Sequence, residues 1–119
     1  ERTAGGFPES YYKVQKIQEW LNSSYAAEIS GERLGEEFDG NFDYMNRIFK
    51  RVTGQTIFQY LTAVRMEHAK RLIAQTTMHT GVIGQEVGYP DEYYFSKVFK
   101  RNVGMSPCAY ADSLSKNKL

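Results

Sequence analysis

The sequence has little that would indicate a secreted, membrane or disordered protein. Cys108 is the one cysteine among 119 residues, so an internal disulfide is impossible and a reducing compartment is expected. No apolar run approaches the ~20 residues that a membrane-spanning helix needs. Proline occurs three times, and the start shows no signal peptide. These features predict a cytoplasmic protein, and the missing initiator methionine predicts a fragment of a longer chain.

Residue patterns for catalysis or metal binding are also lacking. His68 and His79 lie eleven positions apart and fit no metal-ligand spacing. Cys108 follows Pro107 and has no base partner nearby in the sequence, so a small buried side chain is the favoured interpretation. The ten glycines are scattered rather than gathered into a phosphate-binding loop. The sequence therefore predicts no enzyme, no cofactor and no metal site.

What the chain does contain is enough apolar material for a core and an uneven charge distribution. Of the residues, 41% are hydrophobic and 14% are aromatic. The net charge is only +1, but residues 1–43 sum to −5 and residues 44–119 to +6. Such asymmetry is expected if part of the surface faces a polyanion. An unevenly charged solvated surface explains it equally well at this point.

A repeat with a spacing of fifty residues organises the chain. The segment 44–60 matches 94–110 at six of seventeen positions, which are Tyr, Phe, Lys, Arg, Gly and Tyr. Further upstream the match continues after a shift of one residue, with 34–38 against 83–87. The same residues recur at the same helical phase. The chain therefore contains two copies of one small helical unit.

Each copy predicts an amphipathic helix with an apolar and a polar face. Asn41 and Asp91 precede the two helices as N-caps, and Gly54 and Gly104 follow them as left-handed C-caps. Apolar residues recur at i, i+3, i+4 and i+7, which is the pattern of a buried stripe. This stripe comprises Met45, Ile48, Phe49, Val52, Phe95, Val98 and Phe99.

A shorter supporting helix precedes each of these helices, at 31–38 and 80–87, and Gly40 and Gly88 are predicted to give the connecting turns their freedom. A short helix, a tight turn and a second helix with an exposed polar start is the helix-turn-helix plan. Helical hairpins that pack against each other and bind nothing are the alternative.

An all-α fold of about seven helices follows, with a linker remnant at 1–9, a first subdomain at 10–55, a linker helix at 56–75, a second subdomain at 76–112 and a tail at 113–119. The N-terminal helix is predicted over 10–22.

The chain resembles the DNA-binding domain of the arabinose-regulator (AraC/XylS-type) transcription factors over residues 10–111. The resemblance rests on the order and spacing of five motifs: Phe49-Lys-Arg-x-x-Gly54, Tyr60-Leu-x-x-x-Arg65, Ala69-Lys-x-Leu-Ile73, Val87-Gly-Tyr-x-Asp91 and Tyr94-Phe-Ser-Lys-Val-Phe-Lys-Arg-x-x-Gly-x-Ser-Pro107. It implies two helix-turn-helix subdomains that bind consecutive major-groove segments of double-stranded promoter DNA. It also implies an activator more often than a repressor, and an N-terminal effector or receiver domain outside this chain.

The sequence departs from the family pattern in its supporting helices. Gly35 and Gly84 stand where the family usually has alanine, and each is expected to cost ~1 kcal/mol of helix stability unless close packing compensates. Gly81 adds to the effect in the second copy. The helix at 80–87 is therefore predicted to be the weaker of the two.

The resemblance places base readers on the exposed stripe of each second helix. Arg47 has the geometry to contact guanine, Asn46 adenine and Lys97 guanine acceptors. Asp43 and Glu92 either accept from cytosine or only favour the helix dipole. The candidate base-contacting residues are Asp43, Asn46, Arg47, Glu92, Tyr93, Ser96 and Lys97, and the candidate phosphate-contacting residues are Lys50, Arg51, Lys100 and Arg101.

A protein-interaction module without sequence-specific DNA binding is the alternative function. Its polar faces would contact a partner such as RNA polymerase. A group of exposed acidic residues would suit such a surface even if the domain binds DNA. These residues are Glu28, Glu32, Glu36 and Glu37.

Overall fold

The computed structural model describes residues 8–116, and this part of the chain contains helices and no strands. The seven helices are α1 (Glu9–Ser24), α2 (Gly31–Phe38), α3 (Phe42–Thr53), α4 (Ile57–Gln75), α5 (Thr80–Glu86), α6 (Glu92–Val103) and α7 (Pro107–Lys116). The predicted all-α class is confirmed. None of the described helices combines the length and apolar character needed to cross a bilayer.

Several helix bounds agree closely with those that the sequence predicts. The supporting helix α2 has the predicted bounds, and α1 is longer than predicted by one residue at its start and two at its end. The predicted tail at 113–119 is wrong at its beginning, because α7 continues to Lys116. The rest of that tail, and residues 1–7 of the predicted linker remnant, lie outside the described residues.

The predicted caps of α3 and α6 are confirmed. The Asn41 side chain accepts a hydrogen bond from the Tyr44 N–H at 3.0 Å. Asp91 accepts from the Tyr93 N–H at 2.9 Å. Gly54 and Gly104 have φ of +85° and +102°, a conformation that a side chain would strain. The capping residues therefore set the first and last turns of both α3 and α6.

The turns that connect the helices of each hairpin differ between the copies. In the second copy Gly88 has φ of +106°, as the prediction requires. In the first copy the left-handed residue is Asp39, with φ of 51°, and not Gly40. Aspartate tolerates this conformation better than most residues, because its short side chain hydrogen-bonds locally. The prediction for Gly40 is therefore wrong.

The chain divides into two compact units, Glu1–Thr62 and Ala63–Leu119, and the division falls inside α4. The first unit buries a core against α3, with Ile48 and Phe49 at 2% and 0% exposure. Val52 was expected in this stripe but is 38% exposed. Full burial of an apolar side chain such as that of Phe49 stabilises the fold by about 1.5–3 kcal/mol. The core of the first unit is Val14, Ile17, Leu21, Leu34, Met45, Ile48, Phe49, Ile57 and Leu61.

The second unit has an aromatic core around α6. Phe95 and Phe99 are fully buried, with their ring centroids 5.9 Å apart. Tyr89 stacks on Phe95 at 5.9 Å, and the Arg65 guanidinium lies 5.0 Å from the centre of the Tyr89 ring. A charged side chain so deeply buried is favoured by the electron-rich ring face. These contacts pack the buried face of α6 into the core of the second unit.

Candidate DNA-binding surface

Helices α3 and α6 each divide into a buried and an exposed face. On α3, Met45 and Ile48 turn into the core, while Asp43 and Arg47 are exposed. The amphipathic period of the sequence produces this division, because residues three and four apart lie on one side of a helix. The same division holds in α6, where Phe95 is buried and Lys97 is exposed.

The exposed cation of α3 lies over an aromatic ring. The Arg47 guanidinium is 5.8 Å from the centre of the Tyr44 ring, one helical turn earlier. At an exposed site such a contact stabilises the side-chain conformation by about 0.5–1 kcal/mol. Tyr44 was not among the predicted site residues, although its position three residues before Arg47 was a signal for this contact. The guanidinium of Arg47 thus lies beside the Tyr44 ring on the exposed face of α3.

A similar pair of a cation and a tyrosine occurs on α6, with a spacing of four residues instead of three. The Lys97 amine lies 5.3 Å from the centre of the Tyr93 ring, four residues earlier. Tyr93 is 71% exposed, which is unusual for a large aromatic side chain in the absence of a partner molecule. Both second helices therefore present an exposed tyrosine and an exposed cation side by side.

The two acidic residues at the helix starts have different surroundings. Asp43 is exposed in the first turn of α3. Glu92 is exposed in the first turn of α6, and its carboxylate packs over Gly81, where a Cβ would lie 2.7 Å from Oε1. Both carboxylates favour the positive end of the helix dipole. Glu92 has a packing role in addition.

Asn46 is engaged within the first unit. Its Oδ1 accepts a hydrogen bond from the Ile57 N–H at 2.9 Å, at the start of α4. The amide oxygen that would accept from adenine therefore already satisfies an N–H at a helix N-terminus. This hydrogen bond favours a structural role for Asn46, because it satisfies the N–H of the buried Ile57. The contact of Asn46 to adenine stays a prediction.

The corresponding place in the second unit has no such requirement. Ser96 occupies the position of Asn46, and Pro107, which has no N–H, occupies the position of Ile57. Ser96 is half-buried on α6. Its side chain thus remains compatible with the predicted contact to DNA.

The four predicted phosphate-binding residues lie at the other end of the two helices. All four are exposed in the last helical turn. Cations there also stabilise the helix through its dipole, so they have a structural benefit independent of any ligand. These residues are Lys50, Arg51, Lys100 and Arg101. Among the described residues no group of three or more potential ligands is arranged to hold a metal ion. Cys108 is exposed on α7, so the prediction of a buried side chain is wrong.

The residues 40–113 match a family model described as a helix-turn-helix domain. The chain belongs to this family, within the arabinose-regulator type. It is thus a sequence-specific DNA-binding domain of a transcription regulator, as the sequence predicts.

The domain is similar to parts of larger regulators. It is 45% identical over 97 residues to the uncharacterised transcriptional regulator YisR of Bacillus subtilis, covering 82% of this chain and 34% of YisR. It is 35% identical over 94 residues to the transcriptional activator RhaR of Klebsiella pneumoniae, covering 79% of this chain and 34% of RhaR. The chain spans about a third of the length of these relatives.

The fold of the domain also matches a solved structure. The C-terminal domain of AraT, a response regulator from Geobacillus stearothermophilus, is similar with a TM-score of 0.82 and 28% identity. The match covers 84% of this domain and 84% of that chain.

Proposed function

We propose that each unit of the domain inserts its second hairpin helix, α3 or α6, into a major-groove segment of promoter DNA. The observation that carries this proposal is the exposed cation on each helix, Arg47 and Lys97, held over the ring of a neighbouring tyrosine. Arginine and lysine at such positions donate to the O6 and N7 acceptors of guanine.

The remaining exposed residues divide into those that read bases and those that hold the backbone. Asp43 and Glu92 would accept from cytosine N4 or would only favour the helix dipole, and Tyr93 and Ser96 would complete the base-facing stripe of α6. The helix-end cations would neutralise phosphates and add affinity without sequence information. These cations are Lys50, Arg51, Lys100 and Arg101.

Consecutive segments of one groove are the proposed target of the two units. Each unit carries one hairpin with an exposed cation on its second helix. Successive major-groove segments that face the same way are separated by about 34 Å. Two such hairpins in one chain support a target of two successive segments.

The complete regulator is proposed to be an intracellular transcription activator. RhaR, with which the domain shares 35% identity, is named an activator. The relatives are about three times as long as the matched region, which supports an additional effector or receiver domain in the intact chain. RNA polymerase is a proposed further partner, and the domain itself is proposed to have no catalytic activity.

Selection of duplexes from a random pool tests the proposal. The wild-type domain should enrich a defined sequence, and its affinity should fall steeply with salt because phosphate contacts release counterions. Arg47→Ala should lose about 1–3 kcal/mol on the selected duplex and relax the preference at one base pair.

Lys50→Ala is the matched control, because this exposed cation lies on the same helix. It should weaken selected and random duplexes alike and leave the sequence preference unchanged. An equal loss on both duplexes for Arg47→Ala would move Arg47 to the phosphate-binding group. Failure of the wild type to enrich any sequence would favour a protein-interaction module.

A further inference from the structure

A groove between α1 and α3 contains cations that the proposed base-reading face does not use. The groove has a volume of about 350 Å³. Lys13 and Lys16 of α1 line one side, and Tyr44 and Ile48 of α3 line the other. The two lysines are three residues apart and therefore lie on the same face of α1.

The amine of Lys13 reaches the turn of the helix-turn-helix hairpin. A Cβ placed on Gly40 would lie 3.4 Å from the Lys13 Nζ atom. Gly40 immediately precedes Asn41, the N-cap of α3. The positive charge of Lys13 is therefore located beside the end of α3 that would enter the DNA groove first.

Tyr44 connects this groove to the base-reading face. Its ring lines the groove and also lies 5.8 Å from the Arg47 guanidinium. The lysines of α1 and the arginine of α3 are consequently on one continuous surface. DNA that contacts Arg47 would bring its backbone close to the groove.

The charge of the groove is available to a ligand. Glu9 is the acidic residue in its lining, and no ion pair within residues 8–116 joins a carboxylate to Lys13 or Lys16. The two ammonium groups, which have no ion-pair partner among residues 8–116, form a site for an anion of high charge density. A DNA phosphate has this chemistry and is the anion nearest to the proposed interface.

We propose that Lys13 and Lys16 bind a backbone phosphate of the DNA strand that flanks the groove segment occupied by α3. Helix α1 is then a DNA-contacting element in addition to α3, and not only a brace for the core of the first unit. This inference rests on the proposed function. Lysines act as mobile point charges, so the contact adds affinity but no base preference.

A double substitution, Lys13→Gln with Lys16→Gln, tests the inference on a duplex selected by the wild type and on a random duplex. Each lost phosphate contact should reduce the slope of log K against log salt by about 0.9. We expect a reduction of about 1 to 2 and a similar loss of affinity on both duplexes. Circular dichroism should show an unchanged helix content, since Lys16 is exposed, Lys13 is only half-buried and glutamine keeps a polar side chain at both positions.

The matched control removes two lysines elsewhere, Lys70→Gln with Lys116→Gln, and should leave the slope unchanged. Ethylation interference gives a second measurement. Ethylating one or two phosphates should weaken the wild type but not the Lys13/Lys16 double variant. A slope equal to that of the control, with an unchanged interference pattern, would overturn the inference.

The two proposals fail in different ways. If Arg47→Ala relaxes the sequence preference while the Lys13/Lys16 variant matches the control, only the role of α1 is excluded. If the wild type selects no sequence and Arg47→Ala has no effect, the proposed function and the role of α1 both fail.

Discussion

At the scale of single residues, position within the fold decides which polar side chain is available to a ligand. Asn46 and Ser96 occupy equivalent places in the repeat, and both were expected to face DNA. Asn46 instead satisfies the Ile57 N–H, whereas Pro107 leaves nothing for Ser96 to satisfy. The two copies therefore differ at this position in the internal hydrogen bond that the side chain makes, because Pro107 lacks the N–H that Ile57 has.

Asn46→Ala should lower the free energy of unfolding by about 1–3 kcal/mol, the usual cost of leaving a buried N–H without an acceptor. Urea denaturation measures this effect. Ser96→Ala is the matched variant and should change stability much less, since Pro107 donates no hydrogen bond. Base preference should survive Asn46→Ala. A stable Asn46→Ala variant with an altered preference would return Asn46 to the base-reading residues.

His68 introduces a pH dependence of stability. Burial, and then the nearby charge of Arg71, lower the pKa of His68 below its usual 6.5, while Glu67 opposes the change. The ring nitrogen Nδ1 lies 3.0 Å from an Arg71 nitrogen, which suits a neutral, accepting imidazole. The unfolded chain therefore binds the His68 proton more readily than the folded chain does.

Stability should consequently fall as the pH drops through about 6.5, and the His68 contribution should be fully present above this value. His68→Gln should flatten the curve between pH 7 and 5, because glutamine does not titrate there. Denaturation at several pH values measures this difference. Parallel curves for the two proteins would contradict the assignment to His68.

At the scale of helices, the glycines of α5 show how packing compensates for poor helix propensity. A Cβ on Gly84 would lie 2.9 Å from the ring of Phe95, which is fully buried. The close approach of α5 to α6 thus requires glycine at this position. Gly81 differs, because the atom nearest to its Cβ position is the flexible end of Glu92.

Gly84→Ala should destabilise the domain by about 1–3 kcal/mol, since overpacking a core outweighs the ~1 kcal/mol gained in helix propensity. Gly81→Ala should be neutral or stabilising, because the Glu92 carboxylate has room to move away. Thermal unfolding of the two variants measures the contrast. Equal stabilisation by both substitutions would show that α5 packs more loosely than the structure indicates.

At the scale of the whole molecule, duplication provides two base-reading helices within one short chain. The units share α4 but have separate cores. The proposed function therefore assigns Arg47 and Lys97 to different parts of one DNA site. Their contributions to binding are expected to be independent.

Selections with Arg47→Ala and with Lys97→Ala should relax preferences at base positions about 10 base pairs apart, one turn of B-DNA. The double variant should lose affinity equal to the sum of the single losses, because distant sites combine additively. Sequencing of the selected pools and titration of one duplex measure both effects. Relaxation at adjacent base pairs would contradict binding to consecutive groove segments.

Much of the fold was predictable because its signals are local. The apolar stripe around Phe49 follows from the helical period. The caps follow from the short polar side chains of Asn41 and Asp91, which directly precede α3 and α6. The choice of Asp39 over Gly40 as the left-handed residue was not predictable, since both residue types tolerate that conformation. The exposure of Val52 also depends on where the core ends.

The sequence by itself determined the helices, the duplication and the exposed cations Arg47 and Lys97, because amphipathic period and capping act over a few residues. Tertiary structure decided which polar groups are already engaged and which charges lie together. Asn46 meets Ile57, and Lys13 meets the turn at Gly40, only once packing brings distant segments of the chain into contact. Hydrogen bonds and charge act over a few ångströms in space, and sequence separation does not reveal that distance.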